Sequence, residues 1–575
     1  MPITPWFGHD KVLAMLRKRV DGFLEGFHQN CALLGPEGVG KTTLVRRLLH
    51  QESKNAHFIG IYLEVQEDEK IPEWAKRFVR ATLYSMLHHQ GVSELPAGLT
   101  PLFAASRNIY PKTTDCAERL LALAEDAKAE ELYDRLWDLP QLATTETGLP
   151  CLLILDEFDR LRSLAVKEPF HRFGRKVMVQ STTMYVVTSS QLSAARETLR
   201  TGLRLLFGQF ETIEISSLDP SDSLQAIRSV WPEGHLSAFL EHLLVELSQG
   251  SAATLDLLLQ GLLDRGPGRE PKDQERSLLD LLEFLFLESG GPFRRRCETR
   301  LRSLPAHRNR WIWLEVLAAV AAGARRVSQI ALGLDRSPAQ IARALEILEK
   351  VGLVSKHGAF HRLQDRLFQL WMLTAFPVLQ GMDLIDPAQA RARFRDAAWT
   401  WMEGLRQATG LSMLTRTALF LKQWQEDVVE VEDHRIRLPA FASVEEQRLP
   451  AGQMVLVARH AGRAGRDWLV IPWLGPLDEV QARQWVQEIQ GSPMKDLKRL
   501  FAGASPVELH ARLILQEARI RLWDLRVFND LLDLYGLTRI PHLRPDPQGV
   551  PDPMIPLGLS ISAARDSNRE GQRAG

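Results

Sequence analysis

The residues best suited to chemistry lie in one short run, Gly35-Pro36-Glu37-Gly38-Val39-Gly40-Lys41-Thr42. The spacing is that of a phosphate-binding loop, G-x-x-x-x-G-K-[ST]. Gly35 and Gly40 let the main chain wrap closely around an anion, because no Cβ intrudes. The loop amides and the first turn of the helix that follows, which takes in Thr43, supply fixed positive potential. In such a loop Lys41 bridges the terminal phosphates and the Thr42 hydroxyl ligates Mg²⁺. A second signal is the apolar run Cys151–Leu155, which ends in Asp156-Glu157. A buried strand of an open α/β sheet meets its ligands at its C-terminal end. Asp156 is therefore expected to hold Mg²⁺, directly or through water, and Glu157 to polarise the attacking water as general base. A plain strand with an acidic turn has the same local pattern; its position behind a complete phosphate loop favours the chemical reading. In Thr188-Ser189-Ser190, at the end of the next strand, Ser189 is the candidate sensor of the terminal phosphate, with ordinary strand-end capping as the alternative. The cofactors expected are ATP, or ADP after turnover, and Mg²⁺.

These groups need a sheet to position them. Apolar runs at Cys31–Leu34, Phe58–Val65, Cys151–Leu155, Tyr185–Thr188 and Thr212–Ile215 alternate with helical patterns. That alternation predicts an α/β domain with a parallel sheet over residues 1–218. Pro72–Pro140 is a mostly helical insertion. Residues 219–305 show leucines at helical spacing and read as an all-helical lid, broken by a loop at Gly266–Arg276. Residues 306–375 read as helix, helix, helix, hairpin. Ser337 caps and Pro338 opens the third helix, and two short strands flank His357–Gly358, which is the winged-helix pattern. Residues 376–438 read as a helical connector and 439–540 as a second α/β domain. In the latter, Met454–Ala458 and Trp468–Pro472 are strands, Leu477–Ile489 is a helix, and Val507–Leu515 and Arg519–Leu522 read as further strands. The Pro-, Gly- and Ser-rich stretch 541–575 is expected to be disordered.

Composition removes several classes. Lys+Arg and Asp+Glu both number 71 among 575 residues, so no global field draws the chain to nucleic acid or an anionic membrane. The four cysteines are far apart, which argues against a disulfide scaffold or zinc site and fits a reducing cytosol. Neither a leader pattern at the N-terminus nor a membrane-length apolar run is present, so a soluble cytoplasmic chain is expected.

With these segments placed, the chain resembles the AAA+/STAND P-loop ATPases, in particular the archaeal-type ATPase family. The loop and the Asp156-Glu157 strand carry the resemblance, with Phe7-Gly8-His9-Asp10 standing where the family has an F-x-G-R-E segment. The resemblance implies an ASCE/AAA+ sheet and places residues 7–10 near the adenine. Two positions depart from the family. Gly250-Ser251-Ala252-Ala253 replaces its G-x-P-type lid turn, and Gln209 stands where an arginine often supplies a cation to the transferring phosphate. Losing such an arginine costs roughly 10³-fold or more in rate. Arg200, Arg204 or the Arg294–Arg296 cluster are the candidate substitutes. The resemblance extends to a winged helix around His361–Trp371 and a nuclease-like last domain. Nuclease chemistry needs an E-x-K trio on a strand; Asp467–Trp473 has none, so that domain reads as inactive.

Two readings follow, beside a third in which the chain is a nucleotide-binding scaffold that does not hydrolyse at all. In the first, the chain is an ATP-binding, slowly hydrolysing molecular switch that signals to a protein partner or to further copies of itself. In the second, it is a DNA-binding ATPase of defence or mobile-element biology. Arg310–Trp371 holds nine basic against five acidic residues, and seven arginines in Phe293–Arg310 face Glu298 alone. The stretch Arg294–Arg310 and the winged helix are thus the candidate DNA-binding surfaces.

Overall fold

In the computed structural model the described residues run from 9 to 540, apart from 53–56, 68, 93–94, 126–128, 192–194, 197, 199–209, 232–234, 364, 382–385, 432–433, 461 and 463–465. Phe7, Gly8, Arg200, Arg204, Gln209 and the tail 541–575 lie outside them. The chain forms two units. The first comprises Met1–Leu411, Gln425–Pro439 and Leu531–Pro541; the second comprises Ser412–Trp424, Ala440–Asp530 and His542–Gly575.

The first unit is built on five strands, β1 (Asn30–Leu34), β2 (Ile59–Glu64), β3 (Cys151–Asp156), β4 (Thr183–Ser189) and β5 (Phe210–Glu214). Their order is β2-β3-β4-β1-β5 and every pairing is parallel. A parallel sheet covered on both faces needs near-continuous apolar strands, and β3 and β4 are buried at every position. On one face α1 (Asp10–Leu24) and α2 (Lys41–Glu52) pack Leu13, Leu16, Leu44 and Leu48 against Leu152 and Ile154 of β3. The other face is covered by α3 (Ile71–His89), α4 (Leu99–Arg107), α5 (Pro111–Glu125), α6 (Ala129–Leu136), α7 (Leu139–Thr147) and α8 (Pro169–Val179). Trp74, Tyr133, Trp137 and Phe173 form an aromatic nest there, with ring centroids 4.6–5.7 Å apart. The order β3-β4-β1 inserts one strand between the phosphate-loop strand and the acid-bearing strand. The fold class is therefore that of a P-loop NTPase.

Helices α9 (Pro220–Val230), α10 (Ala238–Ser248), α11 (Ala252–Arg265), α12 (Pro271–Leu287) and α13 (Pro292–Arg302) follow. The break expected over Gly266–Arg276 is shorter, because Pro271 opens α12 and Asp273 sits in its positive first turn. Next come α14 (Arg310–Ala321), α15 (Val327–Gly333), α16 (Pro338–Lys350), the antiparallel pair β6 (Val354–His357) and β7 (Phe360–Leu363), then α17 (Arg366–Thr374), α18 (Phe376–Gln380) and α19 (Pro387–Thr409). The β6–β7 turn is Gly358-Ala359, since His357 already pairs with Phe360. One continuous core runs from Ala226 to Leu405. Residues expected to be a helical connector include a hairpin, β8 (Asp427–Val431) and β9 (His434–Leu438). Its signal is period-two burial, with Asp427, Val429 and Val431 inward.

The second unit contains α20 (Met413–Lys422), β10 (Phe441–Arg448), β11 (Met454–His460), β12 (Trp468–Leu477), α21 (Glu479–Gln490), β13 (Lys498–Val507), α22 (Leu509–Glu517), β14 (Ile520–Asp524) and the start of α23 (Leu525–Leu534). Its sheet order is β10-β11-β12-β13-β14, antiparallel as far as β12 and parallel beyond. The strand expected at Val507–Leu515 is the helix α22, which buries Ala511 and Leu515 one turn apart. The true strand, β13, lies before it and is disguised by small residues around Gly503, where φ is +98°.

Candidate functional site

The site forms where β1, β4 and β3 end side by side. After Leu34 the chain turns through the loop and enters α2 at Lys41. Gly38 and Gly40 adopt φ of +79° and +104°, a left-handed region open to glycine without a Cβ penalty. A Cβ on Gly35 would collide with the Ile215 carbonyl. Val39 is buried, Pro36, Glu37 and Thr43 are exposed, and the loop amides precede the positive end of α2.

Lys41 is 4% exposed. Its Nζ donates to the carbonyls of Gly35 at 2.8 Å and Pro36 at 2.9 Å, and to Ser190 Oγ at 2.8 Å. Burial lowers its pKa from the ordinary lysine value, against the opposing pull of Glu157 and Asp156. Thr42 Oγ1 donates to Asp156 Oδ2 at 2.7 Å. Tyr62 OH, from β2, donates to the same oxygen at 2.6 Å, and Thr188 Oγ1 donates to Oδ1. Burial, then the bond to Asp156, holds the Tyr62 phenol above its usual pKa.

Glu157 follows with φ of +54°. Its Oε2 accepts from Ser190 N at 3.1 Å and its Oε1 from Ser190 Oγ. Ser189, the expected sensor, is fully buried. Its Oγ instead accepts from Gln191 N at 3.0 Å, while Ser190 occupies the position beside Lys41 and Glu157. Ser189 is the last residue of β4 and Ser190 the first beyond it, so the two neighbouring hydroxyls meet different partners. Ser190 belongs to the hydroxyl run; Tyr62 carries no local signal at all.

The far side of the loop meets the turn between α10 and α11. Gly38 O accepts from Ser251 Oγ at 3.2 Å and from Ala253 N at 3.1 Å. Gly250, at φ +71°, lies so close to Leu218 that a Cβ would strike its carbonyl. His9 Nε2 lies 3.1 Å from Val39 O, at the back of the loop.

Thr42 and Asp156 offer hard oxygen donors, which suits Mg²⁺. Among the described residues no cluster of three or more His, Cys, Asp or Glu side chains could hold a metal alone. The set fits an ion that takes its remaining ligands from phosphate and water.

Sheet order, phosphate loop and the acid pair that ends β3 are those of a P-loop NTPase fold. Residues 5–173 match the family described as AAA ATPase domain. No curated protein matches the chain. Similar solved structures include a Walker-type ATPase of Pyrococcus abyssi, 16% identical, covering 64% of this chain and 96% of its own, at a TM-score of 0.43. The ORC2 protein of Aeropyrum pernix, in ADPNP–ADP complexes, is 13% identical and covers 70% of this chain and 96% of its own, at 0.40. The ORC1 protein of the same organism, in complex with DNA, is 15% identical and covers 66% and 95%, at 0.37. Among the described residues no helix is long and apolar enough to cross a membrane.

Proposed function

We propose that this chain is a nucleotide-controlled switch of the AAA+/STAND type, which binds ATP with Mg²⁺ and hydrolyses it slowly. The observation that carries the reading is the turn Gln249–Ala253, which is bonded on two sides. On one side Ser251 and Ala253 hold the Gly38 carbonyl of the phosphate loop. On the other, Gln249 Oε1 accepts from Arg366 N, the first residue of α17, at 2.8 Å. A parallel path starts at Thr254, whose hydroxyl accepts from Arg296 at 3.4 Å. Arg296 and Arg300 pair with Asp365, the N-cap of α17, at 3.4 and 3.0 Å. A nucleotide that tightens the loop therefore pulls on a turn that α17 also grips. We read α14–α16 with β6–β7, just before α17, as a winged helix and the moving element.

Slow hydrolysis is supported by Glu157, both of whose oxygens are taken by Ser190. A general base so engaged must be released before it can polarise water. Gripping DNA through the hairpin is the less supported reading. A Cβ on Gly358 would collide with the Val428 carbonyl, and Tyr535 packs on Phe360 with ring centroids 4.9 Å apart. Arg294, Arg295, Arg296, Arg300 and Arg310 each bond within the chain. The second unit is read as a nuclease-like fold whose segment Asp467–Trp473 lacks the E-x-K trio, and so as a candidate surface for a protein partner.

Nucleotide affinity of the wild type and of Lys41→Ala tests the switch, together with hydrogen exchange across residues 366–374 with and without ATP–Mg²⁺. Equal binding by both proteins would end it. Turnover accelerated by duplex DNA at low salt would transfer support to the DNA-acting reading.

A further inference from the structure

The Asp156 carboxylate receives three hydroxyls from three different elements: Thr42 of α2, Tyr62 of β2 and Thr188 of β4. Thr42 belongs to the phosphate loop and Thr188 to the hydroxyl run that ends β4. Tyr62 belongs to neither motif. Its ring is half-buried, and the Arg46 guanidinium lies 4.8 Å from the ring centroid, with Nη2 donating to the phenol oxygen at 3.2 Å. A cation donating to a phenol oxygen polarises its O–H and strengthens the bond that oxygen gives away. Arg46 stands four residues after Thr42, on the same face of α2. Helix α2 thus reaches Asp156 twice, directly through Thr42 and indirectly through Arg46 and Tyr62.

We propose that Tyr62 is a positioning residue for the metal site, which fixes the Asp156 carboxylate in the orientation a nucleotide-bound Mg²⁺ requires. An ionised carboxylate has about four lone-pair positions. Three are filled here, so the direction of the remaining one is set before any metal arrives. Oδ2 carries both the Thr42 and the Tyr62 bond. If Thr42 turns a lone pair to a metal, the phenol still prevents the carboxylate from rotating about its Cβ–Cγ bond. Without that phenol, Asp156 is held by Thr188 on one oxygen and by the group that must itself engage the metal on the other. The inference rests on the nucleotide-binding reading above and adds the residue that orders its metal site.

The test is binding of a fluorescent ADP in EDTA and over a Mg²⁺ titration, for wild type, Tyr62→Phe and Arg46→Ala. Tyr62→Phe keeps the ring and removes only the hydroxyl. Affinity in EDTA should be unchanged. The Mg²⁺ concentration that gives half of the metal-dependent gain should rise about five- to ten-fold, the share of a charged hydrogen bond felt by the metal. Arg46→Ala should shift it the same way by about two- to three-fold, since it weakens the phenol bond without removing it. An unchanged Mg²⁺ midpoint in Tyr62→Phe overturns the proposal, and so does an equal loss of affinity with and without Mg²⁺, which would mark a packing role. A wild type that binds no ADP under either condition would instead remove the nucleotide reading beneath it.

Discussion

Replacing Lys41 by methionine keeps the aliphatic stem and removes the ammonium. In the free protein that ammonium is buried and satisfied by two loop carbonyls and Ser190. Its lowered pKa says that burial costs the folded state something to keep it charged. The methionine variant should therefore fold about as well as wild type, within about 1 kcal/mol. The bound state is different. Charged hydrogen bonds contribute about 1.5–3 kcal/mol each. Removing two such bonds to phosphate should cost about 3–6 kcal/mol, or about 10²- to 10⁴-fold in affinity. Isothermal calorimetry with ATP–Mg²⁺ measures this directly. At a nucleotide concentration about 100 times Kd, the wild type should also gain about 2.7 kcal/mol of stability that the variant lacks. The sign of the pH dependence is fixed as well. The folded pKa lies below the ordinary lysine value, so the burial cost is present while the group is charged and is relieved as pH rises through the lowered value. Unliganded wild type should thus gain stability relative to the variant in that alkaline window, while its affinity for nucleotide falls because the binding form is the ammonium. Equal ATP affinities, or the opposite pH trend, would refute the placement of Lys41 on phosphate.

Further outcomes follow from other residues. Glu157→Gln should bind ATP within about three-fold of wild type yet lose about 10²-fold or more in steady-state phosphate release; unchanged turnover would show that Glu157 is no base. Gly250→Val puts a branched side chain at φ +71° against the Leu218 carbonyl, and a melting scan should show a loss of about 2–4 kcal/mol. Asp533 is buried, which alone would raise its pKa, but Arg366, Arg539 and Arg362 more than offset this and hold the carboxyl below its usual value. Its stabilisation is full above the ordinary aspartate pKa and lost as pH falls through the lowered one. Asp533→Asn should flatten that acid limb in urea titrations and cost about 2–4 kcal/mol near neutrality.

Chemistry that is contiguous in sequence was legible. Gly35–Thr42 and Cys151–Glu157 each need only their own neighbours to be recognised, and the helix from Pro338 to Lys350 announces both ends through Ser337 and Gly352. Groups that act only through the tertiary structure were not. Tyr62 reaches Asp156 because β2 lies beside β3, and Gln249 reaches Arg366 across 117 residues of chain. Which of Ser189 and Ser190 lies beside Lys41 cannot be read from the sequence, because it depends on where pairing stops at the end of β4. The β8–β9 hairpin and β13 escape notice for the reason strands usually do: β propensity reflects the surface a strand fits rather than the backbone alone.

One property of the sheet has a mechanical consequence. Neighbouring strands stand about 4.8 Å apart, and β4 is the single strand between β1 and β3. The ends of β1 and β3 are thus set about two strand spacings apart by main-chain hydrogen bonds, whose lengths vary by only a few tenths of an ångström. With the strand ends fixed, the distance from charge to base is tuned by the phosphate loop that carries Lys41 and by side-chain rotation, and Ser190 bonds to both groups. Any accelerating or silencing change should therefore fall on the loop and on side chains beyond the strand ends and leave the strands in register.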